Sequence, residues 1–214
     1  MILYSYFRSS AAYRVRIALN LKNIEYTIQP IHLLKNGGQQ HEEKYRAINP
    51  QCLVPALQTK HGILTQSLAI IEYLEECYPE PALLPDDCFQ KAQIRSLAQI
   101  IGSDIHPLNN LRVLKHLQNL NSDSDSTAKW VQHWIEMGLN AFEEWLKSQH
   151  LSGAYCHANR PGLADLFLIP QIYNARRFEC HIDNLQNINR IYENCMKLAA
   201  FQQAAPENQA DAIA

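Results

Sequence analysis

The sequence predicts an α/β fold over residues 1–80 and an all-helical fold over residues 87–214. Strand-like and helix-like segments alternate in the first part, in the order βαβαββα, which is typical of an α/β unit with a mixed sheet. Residues 78–87 then contain three prolines and cannot form a regular element. No strand-like segment follows them. We therefore predict two domains, 1–80 and 87–214.

The elements of the first domain are bounded by turn and capping residues. In chain order they are a strand at 2–7, a helix at 11–22, a strand at 25–28 closed by Pro30, a helix at 41–48, strands at 54–59 and 62–65, and a helix at 67–77. Lys60 and His61 between the last two strands indicate a tight hairpin. Asn49-Pro50 ends the second helix, because the residue before a proline disfavours helical backbone.

The second domain is predicted from apolar residues at helical spacing. Its helices are expected at 88–120 with a bend at Pro107, at 127–148, at 163–178 and at 183–200. A polar loop at 121–126 separates the first two, and the last dozen residues are expected to fray.

Composition and charge exclude several classes of function. With 19 basic and 21 acidic side chains, the net charge of −2 does not favour nucleic acid as a partner. No segment approaches about 18 consecutive apolar residues, so no membrane span is expected. The six cysteines lack CxxC and paired Cys/His spacing, which argues against a metal site. A chain of this length does not need disulfides, and with no visible secretion signal its thiols are expected to be reduced. With no visible secretion signal, we expect a cytoplasmic protein.

Ser9 and Ser10 stand where the first strand gives way to the first helix. The N–H groups at a helix N-terminus favour an anion, and they lower the pKa of a thiol held there. Because no cysteine lies at this point, such a thiolate must come from a bound ligand. The alternative is simple N-capping by either serine, and the residues alone leave both open.

Two further segments carry a structural and a functional interpretation. Val54-Pro55 begins a strand; a cis-proline there would turn the preceding backbone toward a peptide ligand, whereas a trans-proline would only start the strand. Gln66-Ser67 begins the helix at 67–77. Ser67 is either its N-cap or part of a site for a ligand carboxylate, with Gln66 contacting the ligand's charged end.

Polar and cationic residues interrupt the apolar pattern of the helical half. They are His106, Asn110, Arg112, Arg176 and Arg177. A histidine on a helix is usually structural, and paired arginines often lie on a solvated surface. Together with Arg8, the arginines could hold a dicarboxylate, since arginine binds carboxylates bidentately.

In their order along the chain these motifs resemble one family over essentially the whole sequence. They are Ser9-Ser10-x-x-x-Arg14-Val15-Arg16, Gly37-Gly38-Gln39-Gln40, Asn49-Pro50-x-x-x-Val54-Pro55, Gln66-Ser67-Leu68-Ala69, His106-Pro107-Leu108-Asn109-Asn110-Leu111, and Leu163-Ala164-Asp165 leading to Arg177-Phe178. The chain resembles the zeta class of glutathione S-transferases, the maleylacetoacetate isomerase family. The resemblance implies the glutathione S-transferase fold, with a thioredoxin-like first domain that binds glutathione, a helical domain that binds substrate, and a homodimer.

The same resemblance implies roles for individual residues. Ser9 and Ser10 lie at the glutathione sulfur. The cofactor is held by Gln40, Val54, Pro55, Gln66, Ser67, His106, Asn110, Leu111 and Arg112, and the substrate carboxylates by Arg8, Arg112, Arg176 and Arg177. The catalytic set is Ser9, Ser10, Arg8, His106 and Arg177. Two positions depart from the family pattern: Ala11 replaces a cysteine, and Gly162 replaces the usual Ser or Thr cap.

The function implied is glutathione-dependent cis–trans isomerisation of maleylacetoacetate to fumarylacetoacetate, in aromatic amino-acid catabolism. Three alternatives stay open. They are maleylpyruvate isomerisation, general conjugation of electrophiles to glutathione, and a non-catalytic binding module of the same fold.

Overall fold

The computed structural model describes residues 1–120, 123–149 and 152–212. The chain divides into two compact units. The first comprises Met1–Ala82 together with the chain from Lys197 onward, and the second comprises Leu83–Met196.

A four-stranded mixed sheet forms the centre of the first unit. Its strands are β1 (Ile2–Ser5), β2 (Thr27–Pro30), β3 (Ala56–Thr59) and β4 (Gly62–Thr65), in the spatial order β2-β1-β3-β4. β1 pairs parallel with β2 and antiparallel with β3, and β3 pairs antiparallel with β4. The hairpin predicted around Lys60 and His61 is therefore confirmed, because β3 and β4 flank those two residues.

The helices of the first unit begin and end close to the predicted positions. They are α1 (Ser10–Leu21), the short α2 (Glu43–Arg46), and α3 (Ser67–Cys77). Every residue of α1 from Ser10 to Leu19 is buried, and so are Ile70, Ile71 and Leu74 of α3. Burial of these apolar side chains provides the main stabilisation of the unit.

Four predicted elements of this unit differ from the structure. β1 ends at Ser5 rather than at residue 7, and β3 begins at Ala56 rather than at residue 54. The second strand runs over Thr27–Pro30 rather than 25–28, so that Pro30 is its last residue, opposite Ser5. A proline is tolerated there because β2 is an edge strand and needs no N–H on its open side. The helix predicted at 41–48 contracts to α2, preceded by single 3₁₀ turns at Lys35–Gly37 and Gln39–His41.

The C-terminal segment belongs to the first unit, contrary to the predicted boundary of the helical domain. Helix α9 (Ala199–Ala204) packs against α1, and 3₁₀ turns follow at Pro206–Asn208 and Ala210–Ala212. The prediction that the last dozen residues fray is wrong for 203–212, since Ala204, Ala205, Pro206 and Gln209 are buried. Residues 213–214 of that prediction lie outside the described ranges.

The second unit is helical. Its elements are α4 (Cys88–Gln99), a π-helical segment (Ile100–Ile105), α5 (Leu111–Asn119), α6 (Ser124–Gln149), α7 (Leu163–Arg177) and α8 (Gln186–Cys195). Within the described ranges it contains no strand, only an isolated bridge between Ser152 and Ala158. Its core is built on α7, which is buried from Leu163 to Ile172, together with the inner face of α6.

The helix predicted at 88–120 is interrupted. The π-helical segment is followed by turns at residues 106–109, and α5 starts afresh with Asn110 as its N-cap. Pro107 accounts for part of the break, because proline cannot donate a helical hydrogen bond. Helix α6 starts three residues before the predicted 127, since the Asp123 carboxylate accepts the N–H of Ser126. Residues 121–122 of the predicted loop are outside the described chain.

The helix predicted at 183–200 is two helices, α8 and α9. The start of α8 is set by a buried carboxylate of α6. Glu143 accepts the backbone N–H groups of Asn187 at 3.1 Å and of Ile188 at 3.0 Å. These bonds satisfy N–H groups that have no partner within the helix, so α8 begins where Glu143 reaches it.

Candidate active site

Ser9 and Ser10 lie at the N-terminus of α1. Ser9 is the N-cap, and its Oγ accepts the N–H of Ala12 at 3.2 Å. Its hydroxyl acts as acceptor in that bond and retains its own O–H as a donor. Ser10 is the first residue of the helix and is buried, and no acidic residue occupies the first turn. Capping and anion binding are therefore compatible at this position.

Arg8 precedes the two serines and is oriented by aromatic side chains. Its Nη2 donates to the hydroxyl of Tyr6 at 3.1 Å, and its guanidinium carbon lies 5.1 Å from the centre of the Phe7 ring. The charged group is thus held beside the serine pair.

The backbone before β3 is fixed by two side chains. The hydroxyl of Tyr45 and the amide of Asn49 both donate to the carbonyl of Leu53, at 2.6 and 2.7 Å. The following bond, between Val54 and Pro55, is cis. The side chain of Val54 is buried in a cluster with Tyr6, Ile31 and Tyr45.

Ser67 lies at the N-terminus of α3 and contacts a buried arginine. Its Oγ accepts a hydrogen bond from Nη1 of Arg14 at 3.2 Å. Burial lowers the pKa of Arg14 to about 9, so this guanidinium remains charged at neutral pH. Gln66, which caps the helix at φ 69°, donates from Nε2 to the side-chain oxygen of Gln51 at 2.8 Å. The arrangement presents a hydroxyl, an amide and a positive charge at one helix N-terminus.

Gln40 is buried beside a glycine turn. Its Nε2 donates to the carbonyl of Leu33 at 3.3 Å, whereas its Oε1 has no hydrogen-bond partner among the described residues. A side chain at Gly38, where φ is +103°, would collide with the Gln40 amide and come within 2.7 Å of the Leu33 oxygen. A buried acceptor without a partner is costly, and it suits a ligand that brings an N–H group.

The sheet topology brings these segments to one edge. Tyr4 of β1 lies opposite Ala56 at the start of β3, and Ala56 lies opposite Thr65 at the end of β4. The end of β1, the start of β3 and the end of β4 are therefore neighbours. The serine pair follows the end of β1, Val54-Pro55 precedes the start of β3, and Gln66-Ser67 follows the end of β4. All three segments therefore adjoin the same ends of the sheet strands.

The candidate residues of the helical unit surround the break between α4 and α5. His106 is half-buried and follows the π-helical segment, with its N–H bonded to the carbonyl of Ile101 at 2.9 Å. The Asn110 side chain accepts the N–H of Arg112 at 3.1 Å and so caps α5. Leu111 is half-buried and Arg112 is exposed. Interrupted helices of this kind often mark functional sites.

Arg176 and Arg177 are both exposed in the last turn of α7. The guanidinium of Arg176 lies 3.9 Å from the centre of the Tyr192 ring, and that of Arg177 lies 4.9 Å from the Phe178 ring. Arg176 is therefore held against α8, while Arg177 is held against its own sequence neighbour.

Sequence reasoning missed two contributors to the N-terminal site, Arg14 and Gln51. Arg14 belongs to the first motif, which predicts no role for its side chain. Their contacts join residues 53 and 15 positions apart, to Ser67 and Gln66 respectively. A charged residue within an otherwise apolar helix was the available signal for Arg14, because such burial requires a polar partner.

Within the described ranges, no helix is long and apolar enough to cross a bilayer, and no group of three or more His, Cys, Asp or Glu side chains is arranged to hold a metal ion.

Comparison with known proteins agrees with this architecture. Residues 3–82 match the family described as "Glutathione S-transferase, N-terminal domain". A maleylacetoacetate isomerase of Pseudomonas aeruginosa is 45% identical over 212 residues, covering 99% of this chain and 98% of that protein. A holo structure of a bacterial maleylpyruvate isomerase, described as a zeta-class glutathione S-transferase, has a TM-score of 0.95 at 42% identity, covering 99% of each chain. Maleylacetoacetate isomerase from Methylobacterium extorquens, with bound malonate and glutathione, also has a TM-score of 0.95 at 37% identity, covering 100% of each chain.

A thioredoxin-like unit with a serine pair at its first helix, joined in one chain to a helical unit, defines a glutathione S-transferase fold. At 45% identity over nearly its whole length, the chain belongs to the maleylacetoacetate isomerase family of zeta-class glutathione S-transferases.

Proposed function

We propose that this protein is a glutathione-dependent cis–trans isomerase that converts maleylacetoacetate to fumarylacetoacetate. The single observation that carries the proposal is the position of Ser9 and Ser10 at the N-terminus of α1, next to the same strand ends as Ser67, whose hydroxyl Arg14 contacts. Relatives of similar length bear the names maleylacetoacetate isomerase and maleylpyruvate isomerase.

The N-terminal unit is proposed to hold glutathione. Ser67, with Arg14 behind it, binds the terminal carboxylate together with Gln66. The backbone of Val54 before Pro55 pairs with the peptide, and the Oε1 of Gln40 accepts one of its N–H groups. These groups fit a tripeptide that carries an anionic end, amide N–H groups and a thiol.

Bound glutathione supplies a thiolate that adds to the alkene, permits rotation about the resulting single bond, and is regenerated on release of the trans product. Ser9 and Ser10 donate hydroxyl hydrogen bonds to the sulfur, and the N-terminus of α1 favours its negative charge. Ala11 stands where the family pattern often has a cysteine, so no protein thiol is available at this position.

The cationic residues are proposed to bind the substrate. The proposed ligands of the substrate carboxylates are Arg8, Arg112, Arg176 and Arg177, and their charge stabilises the negative charge that develops on the keto oxygen. His106 polarises that oxygen or relays a proton, while Asn110 and Leu111 line the cofactor site.

The test is an absorbance assay with maleylacetoacetate and glutathione far below the substrate concentration. Turnover without net loss of thiol supports isomerisation. Stoichiometric loss of thiol would indicate conjugation instead. Failure to bind immobilised glutathione would contradict both enzymatic functions and favour a non-catalytic binding module. Maleylpyruvate is assayed in parallel, because a maleylpyruvate isomerase of similar fold makes it the second candidate substrate.

The finer biological setting is also a proposal. We propose a cytoplasmic homodimer acting in tyrosine and phenylalanine catabolism. All six cysteines are free, which suits a reducing compartment. Light scattering coupled to gel filtration tests the dimer, since a monomeric mass of 24.6 kDa would contradict it.

A further inference from the structure

The C-terminal segment of the chain is anchored along α1. The side chain of Asn20 donates to the carbonyl of Ala200 at 3.0 Å, and the hydroxyl of Tyr13 donates to the carbonyl of Phe201 at 3.4 Å. Phe201 and Ala204 are fully buried. These contacts place α9 along α1.

Arg16 connects this segment to the loop that follows β1. The side chain is fully buried and donates to four groups, one near the chain end and three at residues 5–7, among them the carbonyl of Tyr6 at 3.5 Å from Nη1. Nε donates to the carbonyl of Ala204 at 2.9 Å, Nη1 to the hydroxyl of Ser5 at 3.0 Å, and Nη2 to the carbonyl of Phe7 at 3.0 Å.

Asp211 contacts Phe7, the residue whose carbonyl accepts from Arg16. Its Oδ2 accepts the backbone N–H of Phe7 at 2.9 Å, across 204 positions of sequence. Both backbone polar groups of Phe7 are therefore bonded to side chains, the N–H to Asp211 and the carbonyl to Arg16. The next residues in the chain are Arg8, Ser9 and Ser10.

We propose that Asp211 is a positioning residue of the active site, which fixes the backbone of Phe7 and thereby the placement of Arg8 and the serine pair. The inference rests on the proposed function, in which that turn binds the glutathione thiolate. Hydrogen bonds to a thiolate depend steeply on geometry, so a small displacement of the turn weakens them. The C-terminal segment thus acts on the chemistry without touching substrate or cofactor.

The hydrogen bond and the negative charge of Asp211 have opposite expected effects on the thiol pKa of bound glutathione. A carboxylate near a thiolate raises the thiol pKa, so removal of its charge alone lowers that pKa. Loss of the Phe7 contact weakens the hydrogen bonds to sulfur and raises the thiol pKa. Asparagine keeps an acceptor oxygen without the charge, whereas alanine keeps neither.

The experiment compares Asp211→Ala, Asp211→Asn and Asp211→Ser with the wild-type protein. Glu207→Gln, an exposed acid in the preceding turn, serves as the matched control. Three quantities are measured: the thiol pKa of bound glutathione from thiolate absorbance against pH, isomerase kcat and KM, and hydrogen exchange of the peptide spanning residues 1–12.

We expect Asp211→Ala to raise the thiol pKa, to lower kcat about fivefold to tenfold, and to accelerate exchange at Phe7. The kcat of Asp211→Asn and of Glu207→Gln should stay within about twofold of the wild-type value. Asp211→Ser, too short to reach Phe7, should match alanine and replaces it if the alanine variant does not fold.

Two results would overturn the proposal. One is wild-type exchange and kcat in the alanine and serine variants. The other is a lowered thiol pKa in both asparagine and alanine variants, which would make the effect one of charge. If wild-type protein itself neither binds glutathione nor isomerises, the proposed function fails, while hydrogen exchange at Phe7 still shows whether Asp211 orders the turn.

Discussion

The guanidinium of Arg14 donates a hydrogen bond to the hydroxyl of Ser67, joining the middle of α1 to the first residue of α3. Because Arg14 occupies an acceptor site of that oxygen, the Ser67 O–H is directed away from it and can donate to a ligand. The buried positive charge lies directly behind this hydroxyl. A carboxylate bound at Ser67 therefore receives a hydrogen bond, a helix N-terminus and a nearby cation together.

Arg14→Met should weaken glutathione binding about tenfold, since it removes the charge and releases the orientation of Ser67. The loss of unfolding free energy should be smaller, about 1 kcal/mol, because methionine is buried without a desolvation penalty. Calorimetric titration and urea unfolding measure the two effects. Ser67→Ala is the paired variant, and the double variant should lose less affinity than the two single losses added together. Full additivity would contradict a shared site.

Ser9→Ala and Ser10→Ala should both lower turnover, but they should differ in stability. Ser9 caps α1, so its loss is expected to reduce the unfolding free energy by about 1 kcal/mol. Ser10 makes no capping bond and should cost less. Isomerase kcat and thermal unfolding separate these effects. Full activity in both variants would remove the serine pair from the thiolate site.

Arg177→Ala should raise the KM for the dicarboxylate while leaving glutathione affinity unchanged. The comparison variant is Arg176→Ala, at the adjacent position. Because the Arg176 guanidinium stacks on Tyr192, its loss should also reduce stability, by about 1 kcal/mol. Steady-state kinetics and thermal unfolding test the pair. An unchanged KM in Arg177→Ala would exclude that residue from substrate binding.

Asp165 should make stability depend on pH between about 4 and 6. Burial raises its pKa to about 6, against the opposing effect of the N–H groups of Cys156 and Gly162 that it accepts. The folded state therefore binds the proton more tightly than the unfolded state, whose pKa is about 3.9. The contribution of this group to stability is greatest below pH 4 and is lost as the pH rises to 6.

Asp165→Asn provides the reference for this titration. Asparagine does not titrate and can accept only one of the two N–H bonds, so the variant should be less stable throughout. The stability difference between wild type and variant, from urea unfolding, should shrink between pH 4 and pH 6. A difference that grows over that interval would contradict the raised pKa.

Cys52→Gly should stabilise the protein by about 1 kcal/mol. Cys52 has a φ of 56°, a left-handed conformation that is costly for a residue with a Cβ and open to glycine. Cys52→Ala is the control, because it removes the thiol but keeps the Cβ. Thermal unfolding should show an increase for glycine alone. An equal increase for alanine would attribute the effect to the thiol.

Much of the N-terminal unit could be predicted because its boundaries are local. The α3 helix has an apolar face, and its predicted bounds of 67–77 match the structure, although Gln66 stands at its N-cap without a side-chain capping bond and Ser67 is its first residue. The β3–β4 hairpin was visible from two strand-like segments around a two-residue turn. The ordered motifs identified the family, and the comparisons confirmed it.

Other features depend on contacts that local patterns do not encode. The helical periodicity of residues 88–120 continues through the π-helical segment, so the interruption before α5 could not be located from apolar spacing. The position of residues 203–214 at the chain end predicts fraying. The burial of Ala204 follows from packing of α9 on α1.

The sequence by itself determined the class of fold, the family and the first residues of α3, α4 and α7, because turns and apolar periodicity act over a few residues. Only the tertiary structure decided that Arg14 lies behind Ser67 and that Asp211 holds Phe7. Those hydrogen bonds form between residues far apart in the chain. They require the sheet and α1 to be assembled first, since a hydrogen bond exists only within about 3 Å and at a suitable angle.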